Sequence, residues 1–176
     1  IQDDKLITVR QNPSHDEMQR LIKELSEPEC DFELNIGVSE QGEGYGGVPT
    51  CYNEAISALE AARINKSQTM LYRNIGVYKL LLGVENRAIL RSYADGVLGD
   101  VERYDSMNET DYEQTLRVYL ESNSSVQLTA EKLGIHRNTV NYKMKIIRDI
   151  MNVEMNDEQK MNILLALRAK EILSRK

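Results

Sequence analysis

The sequence predicts an α/β module followed by an all-α bundle. Two periodicities and a charge division carry that expectation. Phe32, Leu34, Ile36 and Val38 alternate with Glu33 and Asn35, the two-residue period of a strand with one buried face. From Gly76 onward apolar residues recur at three- and four-residue spacing, the period of helices. Charge divides too. Residues 111–176 hold eleven Lys/Arg and nine Asp/Glu, net +2; residues 1–110 hold eleven and nineteen, net −8, within a chain of net −6. Three segments are expected: an incomplete α/β domain over 1–83, a helical connector over 84–110 and a helical bundle over 111–176.

Composition narrows the classes. A chain of 176 residues with 41% apolar content can fill ordinary cores. It has no run of eighteen apolar residues and no signal-peptide pattern, so the expected setting is cytoplasmic, without a membrane span. Cys30 and Cys51 are too few for a disulfide framework and read as reduced, small hydrophobic residues. The chain opens on Ile1, not Met, and is expected to be a fragment.

In chain order, "KLITV" (Lys5 to Val9) predicts a short strand. Ser14 and Glu17 form a capping-box pattern, and Met18, Leu21, Ile22 and Leu25 follow on one helical face. The strand ending at Val38 leads into a Gly-rich loop. Thr50 is then expected to open a helix with Tyr52, Ala55, Leu59 and Ala62 inward. "QTMLY" predicts another strand. "VYKLLL" and "ENRAILRSYADGVLG" predict helices, the second ending near Gly99, and polar "DSMNETD" (Asp105 to Asp111) marks a module boundary. Four more helices are predicted: "YEQTLRVYLESN", Ser125 to Leu133, Arg137 to Met151, and "EQKMNILLALRAKEIL".

The second and third of these bundle segments hold the densest chemistry. Between Lys132 and Arg148 stand five Lys/Arg residues, one histidine and no Asp or Glu. Val126, Ala130 and Leu133 share one face of a short helix that Ser124 or Ser125 can cap. Gly134 permits a tight turn and Ile135 plugs it. Val140, Met144 and Ile147 then face inward. Asn138, Asn141, Tyr142, Lys145 and Arg148 take the opposite face. Helix, glycine turn, helix is the helix-turn-helix pattern, whose second helix fits the DNA major groove. Asn can pair with adenine and Arg137 with guanine. The helix N-terminus and Thr139 suit phosphate oxygens. Lys143, Lys145 and Arg148 suit backbone charge. His136 is placed to cap the second helix or touch phosphate.

"TAEKLGIHRNTVNYKMKIIRDIMN" closely resembles the C-terminal helix-turn-helix of the PucR/CdaR family of bacterial transcriptional regulators. Thr129, Ala130, Leu133, Ile135, His136, Arg137, Asn138, Thr139, Val140 and Tyr142 match its signature, and Lys143 stands where the family usually has Arg, which removes forked hydrogen bonding there. "TLRVYLESNSS" and "NILLALRAKEIL" resemble the flanking helices. "ELNIGVSEQGEG", "YNEAISALEAARI", "MLYRNIGVYKLLL" and "ILRSYADGVLGDVERYD" resemble, in order, the family's preceding degenerate GGDEF-like α/β sandwich. One helix in one groove gives too few contacts for operator DNA, so a homodimer reading two half-sites is expected, and the resemblance implies a small-molecule effector such as a purine derivative or sugar diacid.

Other patterns read more plainly. "GEGYGG" (Gly42 to Gly47) fits a dinucleotide fingerprint. However, "NKSQTML" supplies no acid at the next strand, and Pro49 and Thr50 are expected to delay the helix, so a strand-to-helix loop is the better reading. In the resemblance to active cyclases, Gln2, Asp3, Asp4, Lys5 and Leu6 fall on the Gly-Gly-Asp-Glu-Phe signature. Both glycines are missing and Lys5 replaces a metal-side acid, so no enzyme activity is expected. His15 and His136 lack partners at metal-ligand spacing, and no metal or cofactor is expected. His15 reads as a solvent-facing first-turn residue, the methionines as core filler, and Tyr93 and Tyr104 as packing between helices. The alternatives to a regulator are a weakly active nucleotide cyclase and a helical module whose basic groove takes an acidic protein.

Overall fold

The computed structural model describes residues 5–11, 13–26 and 34–174. The chain divides into two compact units, Ile1–Lys79 and Leu80–Lys176. The expectations placed on Gln2, Asp3, Asp4, Cys30, Phe32, Glu33 and the His15 side chain lie outside the described residues.

In the first unit α1 (His15–Ser26) opens with the capping box in place. The Ser14 N–H donates to Glu17 Oε2 at 2.7 Å, and the Glu17 N–H donates to Ser14 Oγ at 3.2 Å. Hydrogen bonding to its carboxyl from the Ser14 backbone N–H first, and from the Ser14 side chain, holds Glu17 below its ordinary range. "KLITV" does not form the expected strand: residues 6–10 have no regular structure and Leu6 and Val9 are exposed. Lys5 alone makes an isolated β-bridge, and β propensity by itself does not extend it into a strand.

The sheet among the described residues is β1 (Ile36–Val38) beside β2 (Thr69–Leu71). They run parallel, with Ile36 opposite Thr69, Gly37 opposite Met70 and Val38 opposite Leu71. Parallel pairing needs a crossover, and α2 (Val48–Ile64) supplies it. Ile36 and Val38 are half-buried on the predicted face, and the opposite face is covered as well. A Cβ on Gly37 would lie 2.2 Å from the Ala55 carbonyl oxygen and 2.3 Å from the Leu59 nitrogen. Helix α2 therefore sits on the Gly37 side of β1, opposite the Ile36 and Val38 side, and only glycine lets it approach so closely. The inward residues of α2 are Ala58, Ala61 and Ala62, all fully buried, while Tyr52 is exposed. Small side chains suit the close approach. The helix also starts two residues before Thr50, with Gly47 at its cap and Pro49 in its first turn, where a missing N–H costs nothing. A short 3-10 turn follows β2 at Tyr72–Asn74, and α3 spans Tyr78–Leu82, across the point where the units divide.

The second unit is helical. Its elements are α4 (Arg87–Asn108), α5 (Tyr112–Glu121), α6 (Val126–Leu133), α7 (Arg137–Met151) and α8 (Asp157–Leu173). Helix α4 runs through Gly99, where an end was expected, to Asn108, and stops at Glu109 in the left-handed conformation. Leu98 and Val101 on either side of the glycine are fully buried, and that burial outweighs the roughly 1 kcal/mol helix cost of glycine. The 84–110 stretch thus contributes directly to the core, where Leu98 and Val101 cluster with Leu116, Val140, Met144, Ile147, Ile163 and Leu167. Tyr93 donates to the Asn162 carbonyl at 3.1 Å, and Tyr104 stacks on Tyr112 at 5.5 Å between ring centres, as packing residues. Of the methionines, Met144 is core, but Met107 and Met161 are exposed.

Half-buried charges brace α4, α5 and α8. Arg117 binds Glu113 and Glu171, Arg168 binds Glu121 and Glu171, and Lys170 binds Glu102 and Glu113. Burial pulls the Lys170 pKa down, but hydrogen bonds to the two glutamates outweigh that and leave it raised. Among the described residues, no helix is long and apolar enough to cross a membrane.

Candidate nucleic-acid interface

Helix α6 begins where Ser125 Oγ accepts from the Leu128 N–H at 3.3 Å. Thr129, one residue off the predicted inward face, is fully buried, its hydroxyl donating to the Ser125 carbonyl at 2.6 Å. The helix ends on Gly134 at φ 64 and ψ 31. The Ile135 N–H reaches back to the Ala130 carbonyl at 3.1 Å, closing the six-residue loop of a Schellman turn, while Ile135 itself packs against the core. Glycine is favoured there because L residues with a Cβ disfavour the left-handed region.

Helix α7 then starts at Arg137, as the sequence predicts. His136 is its cap: Nδ1 accepts from the Asn138 N–H at 3.2 Å. Val140, Met144 and Ile147 are buried, which fixes the rotation of the helix about its axis. Arg137, Asn138, Thr139, Asn141, Tyr142, Lys145, Arg148 and His136 are consequently all exposed, Tyr142 at 64%. Among the described residues no ion pair holds Arg137, Lys145 or Arg148. Lys143 differs. Its side chain is only 18% exposed, and its ammonium pairs with Asp111, 32 residues earlier.

The N-terminal ends of α6 and α7 share one open groove of about 700 Å³, lined by Val126, Gln127, Ile135, His136, Arg137, Asn138 and Asn141. Nothing in the sequence pattern marks Gln127, Lys132 or Asp111 for a role. Gln127 and Lys132 are exposed on α6, and their signal was only proximity to the turn. Asp111 falls within the predicted boundary segment, and nothing local distinguishes it. In the first unit, the "GEGYGG" loop is tied back on itself. The Glu40 N–H donates to Glu54 Oε2 at 2.9 Å, and a Cβ on Gly42 would meet Cys51 Sγ at 2.5 Å. Those contacts tie the loop to α2 and serve packing.

A short capped helix, a Schellman turn and a second helix whose exposed side is amide-rich and cationic, with its acid, Asp149, confined to the last turn, define a DNA-binding helix-turn-helix module. Residues 112–169 match the family described as the PucR C-terminal helix-turn-helix domain, and this part of the chain belongs to it. Three transcription regulators of Bacillus subtilis (strain 168) are similar over more of the chain. The proline-responsive transcriptional activator PutR is 30% identical over 127 residues, 70% of this chain and 31% of PutR. The DNA-binding transcriptional activator AdeR is 26% identical over 71% of this chain and 31% of its own length. The purine catabolism regulatory protein is 28% identical over 80% of this chain and 27% of its own length. The chain thus spans about a third of each relative.

Proposed function

We propose that the protein regulates transcription in the bacterial cytoplasm by binding operator DNA sequence-specifically through α7. The observation that carries this reading is the exposed face of α7 on a PucR-type domain, where no ion pair among the described residues holds Arg137, Lys145 or Arg148. Asn138, Asn141 and Arg137 read base edges from the first turns, and Thr139 and His136 sit where phosphate oxygens approach the helix start. Tyr142 offers a ring to a base edge or sugar, and Lys145 and Arg148 neutralise backbone phosphates. One helix in one groove makes too few contacts for operator affinity, so the active form is a homodimer reading two half-sites. The reading includes no catalytic step.

The first unit is read as part of a degenerate GGDEF-like domain that senses a ligand or dimerises. Its parallel strand-helix-strand unit, β1–α2–β2, supports that reading. One relative is named for its response to proline and another for purine catabolism, which supports control by a small nitrogenous metabolite.

Selection of bound duplexes from a random pool tests the function. Enrichment of two related half-sites, centred about 10 base pairs or a multiple apart, is expected. A pool that stays random through repeated selection overturns it.

A further inference from the structure

The helix that reads DNA is only as specific as its orientation, and one cation on α7 is not free to touch a phosphate. Lys143 stands three residues after Val140 and four before Ile147, at the edge of the buried face. Its ammonium is held by Asp111 Oδ1 at the start of α5. Asp111 occupies the N-cap position of α5, yet its side chain makes no capping bond. Asp105, from the last turn of α4, does that work. Its carboxylate accepts from the Tyr112 N–H at 2.8 Å, the Glu113 N–H at 2.9 Å and the Thr110 hydroxyl at 2.6 Å. With the helix start satisfied from α4, the Asp111 carboxylate is left for Lys143. Three helices are joined in series: the end of α4, the start of α5, the middle of α7.

We infer that Lys143 is a positioning residue, which through Asp111 and Asp105 sets how α7 is presented, and that it does not neutralise a phosphate. The inference rests on the reading that α7 enters DNA. Its signature is a sign. If Asp111 were only an acid near the DNA face, D111N would relieve repulsion and tighten binding to every duplex. If it positions α7, D111N loosens binding to the selected sequence.

The test uses the whole chain and a duplex the wild type selects from a random pool. D111N and K143Q should each weaken binding to that duplex by roughly three- to tenfold, and the double variant should be no weaker than the weaker single one. The slope of log affinity against log salt should stay at the wild-type value in K143Q and fall by about 0.9 in K145Q. In DNA-free protein, amides of residues 137–151 should exchange faster in D111N and K143Q than in wild type. If a single variant loses its fold, the exchanged pair D111K/K143D should regain folding and specific binding. Tighter binding by D111N, or a K143Q slope reduced as far as that of K145Q, overturns the inference. A wild type that selects no duplex overturns the proposed function instead. Amide exchange then still decides the pair: faster exchange in both variants supports it, and exchange equal to wild type overturns it.

Discussion

Two sets of cations in the second unit differ in what they touch. Arg117, Arg168 and Lys170 are each gripped by two carboxylates along α4, α5 and α8. Arg137, Lys145 and Arg148 on α7 are exposed, and no ion pair among the described residues holds them. The residue types are the same and the net charge of the segment, +2, describes neither set. What separates them is partnering. A cation with two carboxylates adds little to the outward field, whereas one without partners keeps its full charge for a polyanion.

Variants sharpen the contrast, the largest effect coming from the gripped set. Glu113 serves both Arg117 and Lys170. Glu113→Gln should cost about 2–3 kcal/mol in chemical denaturation, short of the roughly 3–5 kcal/mol of a fully buried pair because water still reaches the network. DNA binding by the folded fraction should be unchanged. Arg137→Ala, from the free set, should do the reverse: unfolding stays within about 0.5 kcal/mol of wild type while binding to the selected duplex weakens by about 1–3 kcal/mol. Lys145→Ala should also leave stability alone, weaken all duplexes alike and flatten the salt slope by about 0.9. Equal salt slopes for wild type and Lys145→Ala would show that this lysine meets no phosphate. A comparable loss of stability from Glu113→Gln and Lys145→Ala would erase the distinction between the sets.

The helix-turn-helix was legible because its signals are local. Gly134, Ile135 and the apolar triad of Val140, Met144 and Ile147 fix the turn, the start of α7 and its rotation within one short stretch. What the sequence hid is tertiary. The pairing of Lys143 with Asp111 joins residues 32 apart, so Lys143 looks in sequence like Lys145. Asp105 reads as part of a polar boundary, though it caps a helix that starts seven residues later. Gly99 resembles a helix end until the burial of Leu98 and Val101 is known. In the first unit, alternation at Leu34, Ile36 and Val38 points to one face, while α2 lies on the other. A bare glycine is a weak sign of close approach, and it was decisive at Gly37.

The central claim is that DNA lies on the unpartnered side of α7. Titrating the selected duplex into isotope-labelled protein and following backbone amide resonances tests it most directly. The largest shifts should fall on residues 125–128 and 136–148, with α8 and the gripped carboxylates of α4 and α5 little changed. Shifts concentrated on α8 or in the first unit, with α7 silent, would contradict it.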